Sequence, residues 1–229
     1  MKQTLVMQRT RIKICGLTRP IDVQTAVDSG VDALGFVFYE ASARYVTAQA
    51  VSGMTASLPP FVSKVGLFVN AAFETIVQTV NIAKLDLLQF HGDESPDFCE
   101  SVARILARPY MRAIGVGPQT TSSHLLNQIA QYPSACAILL DSASVSYGGS
   151  GKTFDWSILQ SLDKNNLTLP LVLSGGLNAQ NVSEAIFRTR PYAVDVSSGV
   201  EHAPGIKDEA KMKAFIQAVE ASYLGKINS

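Results

Sequence analysis

The chain has 229 residues, 47% hydrophobic and 17% charged, which is enough apolar content to fill a core and too much for a disordered chain. Lys plus Arg and Asp plus Glu each number 19, so the formal charge is zero and the basic surplus of a nucleic-acid binder is missing. No apolar run approaches the ~20 residues that span a bilayer, and the opening MKQTLVMQRT holds no apolar block long enough for a signal peptide. The three cysteines, Cys15, Cys99 and Cys136, are odd in number and match neither a disulfide nor a zinc framework. These features predict a soluble, cytoplasmic protein in a reducing compartment, with no metal site.

In chain order, short β-branched apolar runs alternate with longer amphipathic stretches. Arg11–Cys15 (RIKIC) predicts a strand. Pro20 then opens a helix whose apolar positions Ile21, Val23, Ala26 and Val27 end at Gly30, the usual pairing of a first-turn proline with a trailing glycine. The strand–helix pair recurs at 33–38 with 48–58, at 64–69 with 73–82, and at 85–90 with 95–106. It recurs again at 110–116 with 122–132, and at 136–140 with 155–162 after a glycine-rich loop. Residues 170–173 with 178–188, and 193–196 with 208–224, complete eight units.

Strands buried on both faces read as continuous apolar runs, as these do. Each helical stretch is long enough for a right-handed crossover between parallel strands. The alternation excludes a sandwich or a helical bundle. Eight units favour a closed α/β barrel, the (βα)8 or TIM barrel, over an open doubly wound sheet. No linker or low-complexity segment divides the chain, so 1–229 reads as a single barrel domain with 1–10 as a short N-terminal extension.

Barrels of this kind carry their chemistry at the strand carboxyl ends. The first strand ends on Cys15, the second leads to Arg44, the fourth to His91 and the sixth to Asp141. Ser174, Gly175 and Gly176 follow the seventh strand, and Asp195, Ser197, Ser198, Gly199 and Glu201 surround the end of the eighth. Phosphate often binds between strands seven and eight of such barrels, on backbone N–H groups and a helix N-terminus. Gly175, Gly176, Ser198 and Gly199 fall at those ordinals, and Asn178 is placed to cap the next helix. Each glycine loop alone reads as a tight turn; both together predict an anion site.

Cys99 and Cys136 read as small buried hydrophobes. Cys15 differs, because it closes a strand and precedes a glycine. Asp141 follows four apolar residues into the barrel mouth, where a bare carboxylate is costly to bury. Arg44 reads either as a solvated loop charge or as a partner for an anionic ligand. His91 reads either as a hydrogen-bonded structural histidine or as a ligand contact. SYGGSGKT at 146–153 lacks the first glycine of a nucleotide-binding P-loop and reads as a lid, with Gly149 and Gly151 as its flexible points. A nucleotide-binding module that uses Lys152, and another phosphosugar barrel enzyme, stand as the competing functions.

Several stretches, in order, resemble the phosphoribosylanthranilate isomerase family of tryptophan biosynthesis. They are KICGLT at 13–18, GFVFYEASARYV at 35–46, VGLFVN at 65–70, LLQFHGDE at 87–94, LLDS at 139–142, GGSGKTFDW at 148–156, LSGGL at 173–177 and VDVSSGVE at 194–201. The likeness runs from about residue 11 to 220. Glu40 and Ala43 stand where the family commonly has prolines, and Phe90 where leucine is usual.

The resemblance implies an Amadori rearrangement of N-(5-phosphoribosyl)anthranilate, with no cofactor. By resemblance Asp141 is the general acid and Cys15 the general base. Arg44 then holds the anthranilate carboxylate, Gly175, Gly176, Ser198 and Gly199 the phosphate, and His91 and Asp195 lie near the ligand. A thiol acting as a base needs a cationic influence to release its proton; a helix N-terminus and Arg44 are the two sources expected here. The partner is a small phosphorylated sugar–anthranilate, neither nucleic acid nor membrane, and the chain works as a monomer or homodimer.

Overall fold

The computed structural model describes residues 9–143, 153–162 and 169–224. Gly149, Gly151 and Lys152 of the expected lid lie outside the described residues. Eight parallel strands pair in chain order and close into a barrel: β1 (Arg11–Cys15), β2 (Ala33–Val37), β3 (Ser63–Phe68), β4 (Leu87–Phe90), β5 (Tyr110–Val116), β6 (Ala137–Ser142), β7 (Leu171–Leu173) and β8 (Ala193–Val196). Closure is the β1–β8 pairing, with Lys13 opposite Asp195. The helices are α1 (Pro20–Asp28), α2 (Ala48–Met54), α3 (Phe73–Ala83), α4 (Pro96–Leu106), α5 (Ser122–Ala130), α6 (Ser157–Gln160), α7 (Val182–Thr189) and α8 (Glu209–Leu224). None of the described helices is long and apolar enough to cross a membrane.

Alternation along each strand divides the interior in two. Ile12 and Ile14 face the helices in a large cluster with Leu34, Phe36, Phe68 and Phe215. Val65, Met111, Ala113, Ala137, Leu139, Val172 and Ala193 form a separate cluster inside the barrel. Lys13 and Cys15 alternate with the two isoleucines, so they share the inner face of β1. Below the barrel, Arg9 pairs with Asp32 at 2.6 Å and Thr10 is buried against the carbonyl of Pro191.

Local chemistry explains where element boundaries differ from the sequence reading. β6 extends two residues past the apolar run because Asp141 and Ser142 pair with Gly115 and Val116, so Asp141 sits within the strand. α7 begins at Val182, not Asn178. The Asn178 carboxamide oxygen accepts from the N–H groups of Gln180 and Asn181 at 2.9 and 3.2 Å, a turn that competes with the helix. Asn178 therefore caps that turn and not the helix. α2 stops at Met54, ahead of Pro59 and Pro60, which cannot extend a helix. A short antiparallel hairpin, β9 (Glu201–Ala203) and β10 (Ile206–Lys207), follows β8. No apolar alternation announces it.

Candidate active site

The predicted site residues converge. Cys15, Arg44, His91, Asp141, Gly175, Gly176, Asp195 and Ser198 line one cavity of about 240 Å³ at the strand carboxyl ends. Gly199 is not among the lining residues and instead packs against Leu177. Strands that are far apart in sequence supply these groups, and barrel closure brings them together.

Cys15 is buried in this cavity, and Gly35 on the adjoining β2 makes room for it. A Cβ at position 35 would lie 2.8 Å from the Cys15 sulfur. Lys13, two residues earlier on the same inner face, was missed by sequence reasoning because a strand lysine ordinarily reads as solvated. Its Nζ donates to Asp195 Oδ1 at 2.8 Å, with both side chains almost fully buried. Burial works against the Lys13 charge, but Asp195 and Cys15 outweigh it and raise its proton affinity. Burial holds the Cys15 thiol above its ordinary proton affinity; Lys13 and Lys207 oppose that rise, and Asp195 adds to it.

Arg44 enters the cavity as expected, but not as a free cation. Its Nε and Nη2 donate to the two carboxylate oxygens of Glu201 at 2.8 and 2.7 Å, a bidentate pair. Hydrogen bonding to Glu201 raises the Arg44 proton affinity. Lys13 and Lys207 thus add to the cationic influences expected on Cys15, and Arg44 also interacts with the thiol. Burial tends to raise the Glu201 carboxyl, yet Arg44 and Lys207 hold it below the ordinary glutamate range. Lys207 on β10 has Nζ 2.8 Å from Glu201 Oε1. Burial lowers the proton affinity of Lys207, and Glu201 opposes that fall. Neither Lys207 nor its hairpin carries a signal in the sequence.

Across the mouth, His91 Nε2 lies 3.5 Å from Asp141 Oδ2. His91 Nδ1 lies 3.1 Å from Nε2 of Gln89, a fully buried residue two positions earlier on β4. The Gln89 amide and Nδ1 thereby fix the orientation of the ring, with Nε2 facing Asp141. Asp141 Oδ1 accepts from the backbone N–H of Ser142 at 2.8 Å.

The loops after β7 and β8 are pressed together. A Cβ at Gly199 would lie 1.9 Å from the Leu177 carbonyl oxygen. One at Gly175, where φ is +85°, would lie 2.6 Å from the Ser142 nitrogen. Among the described residues, no backbone carbonyl takes the N–H of Gly175 or Gly176. Gly175 and Gly176 line the cavity, and backbone N–H groups free of carbonyl partners suit an oxyanion.

A closed barrel that gathers a thiol, a carboxyl and glycine loops at its strand carboxyl ends is of the (βα)8-barrel enzyme class. The family model described as N-(5'phosphoribosyl)anthranilate (PRA) isomerase matches residues 12–218. The N-(5'-phosphoribosyl)anthranilate isomerase of Herminiimonas arsenicoxydans is 51% identical over 221 residues, covering 95% of this chain and 96% of that one. Among solved structures, the phosphoribosyl anthranilate isomerase from Thermotoga maritima superposes with a TM-score of 0.83 at 42% identity, over 93% of this chain and 99% of that one. A second phosphoribosyl anthranilate isomerase, solved in complex with reduced 1-(o-carboxyphenylamino)-1-deoxyribulose 5-phosphate, gives a TM-score of 0.80 at 38% identity, with coverage of 93% and 99%. The chain belongs to the N-(5'-phosphoribosyl)anthranilate isomerase family.

Proposed function

We propose that this chain converts N-(5-phosphoribosyl)anthranilate to 1-(2-carboxyphenylamino)-1-deoxyribulose 5-phosphate in tryptophan biosynthesis, with Asp141 as the acid and Cys15 as the base. The observation that carries the assignment of roles is the shared cavity, lined by Cys15 and Asp141 from strands three steps apart on the ring. A substrate seated between them is reached by one group from each side. The reduced product bound to the related structure is a phosphorylated molecule of the same kind.

The reaction proceeds by proton transfers that begin with one acid and one base. Asp141 donates a proton to the furanose ring oxygen, so that the C1′–O bond breaks and an iminium forms. Cys15 then removes the C2′ proton, and the electron pair moves towards the iminium to give an enolamine. In the tautomerisation C1′ gains the proton held by Cys15 and the C2′ hydroxyl gives its proton to Asp141, which leaves the ketone and returns both groups to their starting states. Each acid–base group contributes about 10²–10⁴-fold. Gly175, Gly176, Ser198 and Gly199 receive the phosphate. Arg44 keeps Nη1 for the anthranilate carboxylate while Glu201 holds its other two nitrogens, and a cation so fixed reaches the substrate at small entropic cost. His91 holds Asp141 in place, and Asp195 acts through Lys13 beside Cys15.

The test is growth without tryptophan of a strain that lacks only this isomerase, supplied with the parent chain, Cys15→Ala or Asp141→Asn. The parent restores growth, and each variant, although folded, does not. Failure of the folded parent rejects the reaction. Near-parental turnover by either purified variant rejects that residue's role.

A further inference from the structure

A buried polar cluster lies beside the loop between β4 and α4, and the reaction scheme leaves it unused. Glu94 is its centre. Its Oε1 accepts from the backbone N–H of Asn70 at 2.8 Å, and its Oε2 accepts from the N–H of Gly92 at 2.9 Å and from Arg112 Nη1 at 2.7 Å. Arg112 leaves the outer face of β5, alternating with Met111 and Ala113 of the inner cluster. Its Nη2 donates to the Gly92 carbonyl oxygen at 2.6 Å. Asn70, just past β3, accepts on Oδ1 from the N–H of Asp93 at 2.7 Å. The Tyr132 hydroxyl donates to the Glu94 carbonyl oxygen, and the Arg112 guanidinium lies over the Tyr132 ring.

The loop held in this way begins with His91, whose own N–H donates to the Phe68 carbonyl oxygen at 2.9 Å. From His91 to Asp93, every backbone N–H therefore has a fixed acceptor. A Cβ at Gly92 would lie 2.4 Å from Asn70 Oδ1, so the clamp closes only on glycine. Gln89 fixes the imidazole ring; this cluster fixes the backbone that carries it. Stability is a poor reason for the charges, because a buried ion pair seldom outdoes apolar side chains of the same size. Arg112 Nε, moreover, has no partner among the described residues. The contacts of the pair end instead on Gly92 and on Asn70, whose side chain holds Asp93.

We propose that Glu94 and Arg112 are positioning residues for His91 and, through it, for Asp141. The proposal rests on the reading of His91 as the residue that holds Asp141 in place. In the barrel β5 lies between β4, which leads to His91, and β6, which carries Asp141. Arg112 thus ties the loop of one neighbour to the strand that pairs with the other. A guanidinium fork that grips a carboxylate and a carbonyl together fixes direction as well as distance. His91 Nε2 then meets Asp141 Oδ2 in one geometry, at 3.5 Å. Misplacing a group at the reacting centre by ~1 Å costs up to about 10²-fold in rate.

The experiment pairs histidine NMR with kinetics. Imidazole signals are recorded with labelled histidine in a His124→Gln, His202→Gln background; both side chains are exposed, and His91 is then the only histidine left. Arg112→Met alone strands the Glu94 carboxylate, so it is combined with Glu94→Gln, which removes both charges and keeps an oxygen as acceptor. The double variant is expected to shift or broaden the His91 signals, and to lower kcat about ten- to hundredfold with KM little altered. In a His91→Ala background the same two substitutions are expected to lower kcat by less than about twofold, because residues that act through one another are not additive. Loss of packing alone acts equally with and without His91. Unmoved His91 signals in the folded double variant overturn the proposal, and so does a kcat loss of the same size in both backgrounds. If the double variant does not fold, Arg112→Lys, which keeps the charge and loses the fork, is judged by the same two measures. Parental turnover by His91→Ala would reject the reading of His91, while the ring signals still judge the clamp.

Discussion

Lys13 and Asp195 face each other across the seam that closes the barrel, Nζ 2.8 Å from Oδ1, with side chains only 5% and 6% exposed. Removing one partner of such a pair strands a buried charge, at a cost of about 3–5 kcal/mol. Replacing both with apolar groups restores most of that. Lys13→Met and Asp195→Leu are each expected to lower the urea midpoint sharply, and the double variant to recover towards the parent. Activity is not expected to recover with it, because the cation beside Cys15 is gone. A double variant no more stable than the worse single one contradicts this account.

Gly199 is expected to tolerate no side chain. A methyl group there meets the Leu177 carbonyl oxygen at 1.9 Å, so the loops after β7 and β8 must separate. Gly199→Ala should weaken binding of a phosphorylated product analogue by tenfold or more, and raise KM more than it lowers kcat. Calorimetric titration and steady-state kinetics check both. Unchanged affinity removes Gly199 from the phosphate site.

The chain from Gln89 through His91 to Asp141 assigns Gln89 an orienting role. Its Oε1 is buried with no partner among the described residues, so its amide contributes to stability at best weakly. Gln89→Leu is expected to leave the melting temperature unchanged or higher. It should lower kcat about tenfold, with KM little altered, because His91 loses the hydrogen bond that orients its ring towards Asp141. If kcat stays at the parental value, the hydrogen bond to His91 has no catalytic consequence.

Glu201 sets an acid limit on stability. Its carboxyl titrates below the ordinary glutamate range in the folded state because Arg44 and Lys207 outweigh the effect of burial. A depressed folded value means that its contribution is fully present above the unfolded value of about 4.3 and is lost as pH falls through the folded one. Glu201→Gln keeps an acceptor but no charge, and should cost about 2 kcal/mol at neutral pH. Urea denaturation at a series of pH values should show parent and variant converging as the pH falls below about 4.3. A gap that persists unchanged in acid argues that packing, not charge, holds the hairpin.

The sequence by itself determined the barrel. Eight apolar runs with intervening amphipathic stretches leave little else to build, because parallel strands covered on both faces must be apolar throughout. β1, β5 and β8 fall where the runs begin and end. The same reading brought Cys15, His91, Asp141, Gly175, Gly176 and Ser198 to the strand carboxyl ends, because in this fold the ordinal of a strand fixes the rim position of its last residue.

Only the tertiary structure decided who pairs with whom. Whether a polar residue within a strand points to water or to the axis depends on register and closure, neither of which a single run reveals. Lys13 therefore carries no site signal in the sequence, and it becomes the partner of Asp195 only when β8 closes on β1. Arg44 and Glu201 lie 157 residues apart in sequence, and no local pattern announces a contact across that distance. Lys207 lay in a segment with no strand signal, and the hairpin that buries it gains its order by docking onto the barrel mouth. Chemistry borne by single strand ends was legible in the residues; the electrostatics that tune it come from contacts between distant segments, and those exist only once the barrel has closed.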